Sequence, residues 1–143
     1  MKAFALAALA VTSLVSFSAF AHVEPGTHTG TTAAGTACSM VAGVTYFENN
    51  AHHPLNERIK ITVDGTEFTV GHPPIIDADS DVVFFNHDLF QGIVPTATGA
   101  KALIVDMIHS EEKEGPVRFK VIENFWKTGK KESVVCEALV FAK

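Results

Sequence analysis

The chain has few of the residues that mark a nucleic-acid-binding protein. Its basic residues number 11 against 16 acidic ones, and it contains one tryptophan and one tyrosine. A net negative charge gives no electrostatic support to binding of a nucleic acid or an anionic membrane. We therefore expect no nucleic acid among its partners.

Catalytic motifs are missing as well. The sequence contains no G-x-S-x-G, H-E-x-x-H, C-x-x-C or G-x-G-x-x-G pattern, so it lacks the common nucleophile, metal, redox and dinucleotide signatures. A small secreted hydrolase stays open as an alternative, with an acid and a base drawn from His87, Asp88, Asp106 and His109. The leading expectation is a protein that is not an enzyme.

Long apolar runs are absent after the N-terminus. Residues 1–21 are predicted to be a signal peptide, because Lys2 precedes the apolar run 3–17 and small residues, Ala19 and Ala21, stand before a cleavage point at His22. No later run reaches the roughly 18 apolar residues of a membrane-spanning helix. We expect a secreted or periplasmic protein with no integral membrane segment after cleavage.

The two cysteines, Cys38 and Cys136, both fall in the exported part. An even number of cysteines in an oxidising compartment favours an intramolecular disulfide. The bond would tie the first strong strand of the domain to the last. Such a link favours a curled or closed sheet, in which those strands come close together.

Alternating apolar residues and turn signals predict an all-β fold. The clearest signal is Asp64-Gly65, a type I′ turn that pairs Ile61 with Phe68 and Ile59 with Val70. Residues 22–36 are expected to be an extended lead-in, with an edge strand at 27–32, and residues 37–143 an antiparallel β domain.

Two further segments complete the predicted sheet. Residues 100–109 match both helical spacing and β-branched composition, and we favour a strand because residues 117–121 alternate and supply an antiparallel neighbour. A final hairpin is expected at 117–126 and 133–141. The predicted fold is a single small antiparallel meander, curled sheet or barrel, with a two-layer β-sandwich as the alternative.

Seven histidines suggest a metal-binding alternative. After cleavage, His22 would offer both an α-amine and an imidazole, a nitrogen pair that suits copper. His28, His52 and His53 are the candidates to complete a copper or zinc site. Because the histidines lie in scattered turns and loops, no cofactor is predicted as the leading case.

The remaining candidates belong to a ligand site or an apolar patch. Adjacent aromatic residues must point to opposite faces of a strand, so one member of Phe84-Phe85 and one of Phe125-Trp126 is expected away from the core. Asp106 interrupts an apolar strand; it is expected either to pair with Arg118 or Lys120 or to anchor a ligand in a cavity. The leading function is an exported binding protein for a small apolar molecule or a protein partner.

Overall fold

A computed structural model describes residues 23–50, 56–72, 87–109 and 114–142. These residues form nine antiparallel strands and, after the third, one short 3-10 turn at Glu48–Asn50. In chain order the strands are β1 Gly26–Thr31, β2 Ala37–Ala42, β3 Tyr46–Phe47, β4 Glu57–Val63, β5 Thr66–Gly71, β6 His87–Pro95, β7 Gly99–His109, β8 Glu114–Phe125 and β9 Lys131–Phe141. The described part contains no α-helix, and therefore no helix long and apolar enough to cross a membrane.

Eight of the strands close into a barrel. The meander from β4 to β9 returns to β1, which pairs with β2, and β2 then pairs with β4 through Val41 with Thr62 and Ala42 with Ile61. The two-residue strand β3 lies outside this ring and pairs with the start of β4. The predicted all-β antiparallel meander is confirmed. Of the predicted forms, the structure adopts the closed barrel.

Side chains fill the lumen of the barrel. Alternate residues of each strand point inward, as the pleat of a β-strand requires. Large inward side chains that are fully buried include Met40, Ile61, Phe68, Phe90 and Phe119. An eight-stranded barrel is just wide enough for side chains to fill it, so the middle of this barrel is a packed core.

The β4–β5 hairpin forms with the predicted register. Ile61 pairs with Phe68 and Ile59 with Val70. Asp64 and Gly65 have φ values of 46° and 73°, the left-handed pair that a type I′ turn needs. All four paired residues are fully buried, because turn chemistry and alternation specify the same face.

The predicted disulfide between Cys38 and Cys136 is present, with Cα atoms 6.0 Å apart. The two strands it joins, β2 and β9, are not neighbours, because β1 lies between them. Strands two places apart in a flat sheet are separated by about 10 Å. Curvature of the barrel and a shift in the β1–β9 register between Thr29 and Thr31 bring the two cysteines together over β1.

The N-terminal prediction differs from the structure. The strand expected at 27–32 is present as β1, but its predicted edge position is wrong, since β1 pairs with β2 on one side and β9 on the other. The barrel therefore begins at Gly26, inside the segment expected to be a lead-in. The strand predicted at 100–109 and the final hairpin are confirmed as β7 and as β8 with β9.

Candidate ligand site at the open end of the barrel

The two ends of the barrel differ in how their strands are joined. One end, called here the hairpin end, carries the four short connections 32–36, 64–65, 96–98 and 126–130. The connections at the opposite end include residues that the structure does not describe. The candidate site lies at the hairpin end, where every connection is described.

A cavity of about 150 Å³ opens at the hairpin end of the lumen. Its floor is apolar and consists of Phe119, Val121 and Val63, next to the disulfide at Cys38. Val134 of β9, which is 54% exposed, forms part of the wall. The cavity is where the packed core stops short of the strand ends.

Charged side chains surround the opening of this cavity. Asp64, Glu123 and Glu132 contribute three carboxylates, and Lys101 contributes one ammonium group. Lys101 Nζ lies 3.7 Å from Glu123 Oε2, and Glu123 faces Glu132 directly across the β8–β9 pair. The surplus of negative charge favours a ligand that carries a positive charge.

Glu132 also forms an ion pair with Lys130 on the hairpin connection. The hydrogen bond from Lys130 to Glu132 is the main cause that raises the pKa of this lysine, followed by their charge attraction.

The cavity lining includes serines but no described histidine. Ser39 and Ser133 line the cavity, but no histidine does among the described residues. His28 and His72, the histidines with described side chains, lie near the start of β1 and just after the end of β5, at the opposite end of the barrel. The Ser–His pair of common hydrolases is therefore not found in the described lining.

The structure describes one of the four predicted metal ligands. His28 is buried in the lumen, with Nε2 2.8 Å from the carbonyl oxygen of Glu24 and its ring against Phe141. His22, His52 and His53 lie outside the described residues. Within the described part no group of three or more His, Cys, Asp or Glu residues is arranged to hold a metal ion, and the proposed copper or zinc site stays a prediction.

The predicted ligand and patch residues are dispersed. Asp106 lies on the outer face of β7 and accepts a 2.9 Å hydrogen bond from Arg118 Nε, the ion pair expected as one of its two roles. Phe125 is half-buried, whereas Trp126 is 70% exposed. Phe84 and Phe85 lie outside the described residues, as do the side chains of His87, Asp88 and His109 in the hydrolase hypothesis.

Sequence reasoning missed a buried polar pair in the lumen. Glu57 is 2% exposed, and its Oε2 lies 3.3 Å from Nε2 of His72, whose ring packs on Phe90 at 4.1 Å between centroids. The signal was present in the alternation of β4, where Glu57 shares a face with Ile59 and Ile61. A glutamate in that position predicts a buried carboxylate with a partner.

Comparison with known proteins adds no assignment. No family model matches the chain, and no curated protein or solved structure matches it either. The case for a function therefore depends on the geometry of the barrel and its hairpin end.

Proposed function

We propose that the protein is an exported, non-enzymatic binding protein that takes a small molecule into the hairpin end of its barrel. The observation that carries this proposal is the cavity of about 150 Å³, with its apolar floor and charged opening. Export is supported by the signal-peptide pattern of residues 1–21 and by the disulfide, a bond typical of oxidising compartments.

The size of the cavity limits the ligand. The lumen below it is filled by core side chains such as Phe119 and Leu103, so a long apolar molecule has no room to enter. A cavity of about 150 Å³ holds a molecule the size of benzene. This excludes most ligands of drug size, whose pockets measure roughly 300 to 1,000 Å³.

The charge of the opening sets the ligand chemistry. Phe119, Val121 and Val63 suit an apolar body, and the carboxylates of Glu123 and Glu132 suit a cationic head group. Lys101 and Lys130 each pair with one of these carboxylates, and Asp64 leaves the opening with a net negative charge. The ligand class that fits both features is a small amine with one aromatic or branched apolar group.

Three probes of equal size test this assignment by NMR titration of the protein. Benzylammonium, benzyl alcohol and benzoate share one ring and differ in charge. We expect shifts at Val121 and Val134 with benzylammonium, weaker shifts with benzyl alcohol, and none with benzoate. Equal shifts with all three probes would contradict the assignment of a cationic ligand, and no shift with any of them would contradict the binding site itself.

Matched substitutions on β9 locate the binding. Val134→Trp places a large ring in the cavity wall and should abolish the benzylammonium shifts. Val140→Trp is the control, because Val140 is exposed to a similar extent, 62% against 54%, and does not line the cavity. Loss of binding in both variants would mean that the probe binds elsewhere.

One observation favours a second candidate, the binding of a protein partner. Ile93 on the outer face of β6 is 73% exposed, and the pairing places it in one row with Ala102 and Ile122. A photo-crosslinker at position 93, in protein exported by its own cell, should then give one discrete adduct. The same crosslinker at Lys60, on the outer face of β4, is the control, and identical products at both positions would exclude this surface.

A further inference from the structure

The β8–β9 connection and the first residue of β9, Trp126 to Lys131, form an exposed tip at the hairpin end of the barrel. All nine residues from Trp126 to Val134 are exposed. The backbone of the tip is ordered by hydrogen bonds from the amides of Phe125 to the carbonyl of Lys130 and of Gly129 to the carbonyl of Phe125. The amide of Trp126 also bonds the carbonyl of Thr98, so the tip is anchored to the neighbouring connection at 96–98.

Trp126 is the only tryptophan of the chain, and among the described large apolar side chains only those of Ile93 and Val44 are more exposed. Leaving an indole ring 70% exposed keeps a large apolar area in contact with water. A tryptophan combines an apolar body with an N–H donor, which suits the boundary between water and an apolar phase.

Positive charge concentrates around this ring. Residues 126–131 contain Lys127, Lys130 and Lys131, three of the 11 basic residues of a chain whose net charge is −5. Lys130 pairs with Glu132. Among the described residues no carboxylate pairs with Lys127 or Lys131, and both lysines are exposed on the same tip as Trp126.

We propose that this tip, Trp126 to Lys131, docks the protein on an anionic lipid surface. The indole would enter the interfacial layer, and the two lysines would contact lipid phosphates. The net negative charge of the whole chain opposes this contact, but charges further away than a Debye length of about 10 Å are screened. At the same end of the barrel, Glu123 and Glu132 are paired with Lys101 and Lys130, so the unpaired charges of Lys127 and Lys131 dominate the tip.

A lipid surface suits the tip better than an acidic protein does. A stable protein interface buries about 800 Å² on each partner and has a packed apolar centre. The tip offers one large ring, two unpaired ammonium groups and small polar residues, on a projecting loop. A deformable lipid interface accepts such a loop without a complementary pocket.

The single tryptophan makes the proposal directly measurable. The chain, purified after export, is mixed with vesicles of equal parts phosphatidylglycerol and phosphatidylcholine, or of phosphatidylcholine alone. We expect a blue shift of the tryptophan emission and co-sedimentation with the anionic vesicles, both weakened by added salt. No shift with anionic vesicles, or an equal shift with neutral ones, would overturn the proposal.

Charge variants identify the residues responsible. Lys127→Gln with Lys131→Gln should weaken vesicle binding by about fivefold for each lysine removed. Lys60→Gln with Lys120→Gln is the control, because it removes the same charge from the barrel wall. Equal loss in both double variants, or a tryptophan shift with polyglutamate and none with vesicles, would exclude the lipid assignment. The measurement needs no occupant in the cavity, so it is independent of the proposed function.

Discussion

At the scale of single residues, Gly30 explains how the disulfide forms. It lies on β1 directly below the bond between Cys38 and Cys136, and it pairs with Cys38. A Cβ atom at this position would lie 2.2 Å from the carbonyl oxygen of Glu137 and 3.1 Å from Sγ of Cys136. Only glycine lets two strands that are not neighbours approach closely enough over a third.

Gly30→Ala should therefore destabilise the protein by more than about 3 kcal/mol, since the atom it meets is backbone and cannot move aside. Thermal unfolding and titration of free thiols measure the loss of stability and of the disulfide. Gly35→Ala is the control, because a Cβ there meets nothing within 4 Å and only its φ of +78° is strained, at a cost of about 1 kcal/mol. Equal effects of the two variants would contradict the steric role of Gly30.

The buried Glu57 gives a second prediction at this scale. Glu57→Ala removes the carboxylate beside His72 and leaves an imidazole in the lumen without that partner, so we expect a loss of about 2 to 4 kcal/mol. Glu48→Ala is the control, because Glu48 also forms an ion pair, with Arg58 at 2.9 Å, but is 46% exposed. Its removal should cost less than about 1 kcal/mol in urea unfolding. A small effect for Glu57 would show that the pair contributes little to stability.

At the scale of elements, the β4–β5 hairpin shows what local sequence determines. Asp64-Gly65 supplies the two left-handed residues, and the flanking alternation selects one register. Both signals lie within 12 residues, so they could be read without the fold. The interior position of β1 could not, because its threonines favour a strand and its glycines disfavour one, and neither shows that the strand lies between β2 and β9.

Gly65→Ala should cost about 1 to 2 kcal/mol, because alanine is forced into the left-handed region at a φ of 73°. Its Cβ would meet nothing within 4 Å, so the loss reports backbone strain alone. Asp64→Asn is the matched change, since Asn-Gly is a preferred type I′ pair, and it should leave the melting temperature unchanged or raise it. A lower melting temperature for both variants would contradict the assigned turn.

At the scale of the whole molecule, the barrel depends on contacts far apart in sequence. Strand existence, the final hairpin and the disulfide could be predicted from alternation, turns and cysteine count. Closure through the pairing of β2 with β4 could not, because it involves only two residue pairs, Val41 with Thr62 and Ala42 with Ile61. The cavity could not be predicted from the sequence either, because Lys101, Glu123 and Val134 come from three different strands and meet only in the fold.

The disulfide supplies the last prediction, because it closes a separation of 98 residues across the barrel. Restricting the unfolded chain over a loop of that size stabilises the fold by about 4 to 5 kcal/mol in the chain-entropy model. Cys38→Ala with Cys136→Ala should lower the free energy of unfolding by most of that amount, with some further loss from the space left beside the buried Cys136.

Reductant separates the effect of losing the disulfide from the effect of losing packing beside Cys136. Dithiothreitol should destabilise the unchanged protein and have no effect on the double variant in the same urea titration. Because both cysteines belong to the strands that enclose β1, loss of the bond should also release the contact over Gly30. Gly30→Ala should then lower the free energy of unfolding less in the double-alanine background than in the unchanged protein. An equal loss in both backgrounds would show that the disulfide and Gly30 stabilise the barrel independently.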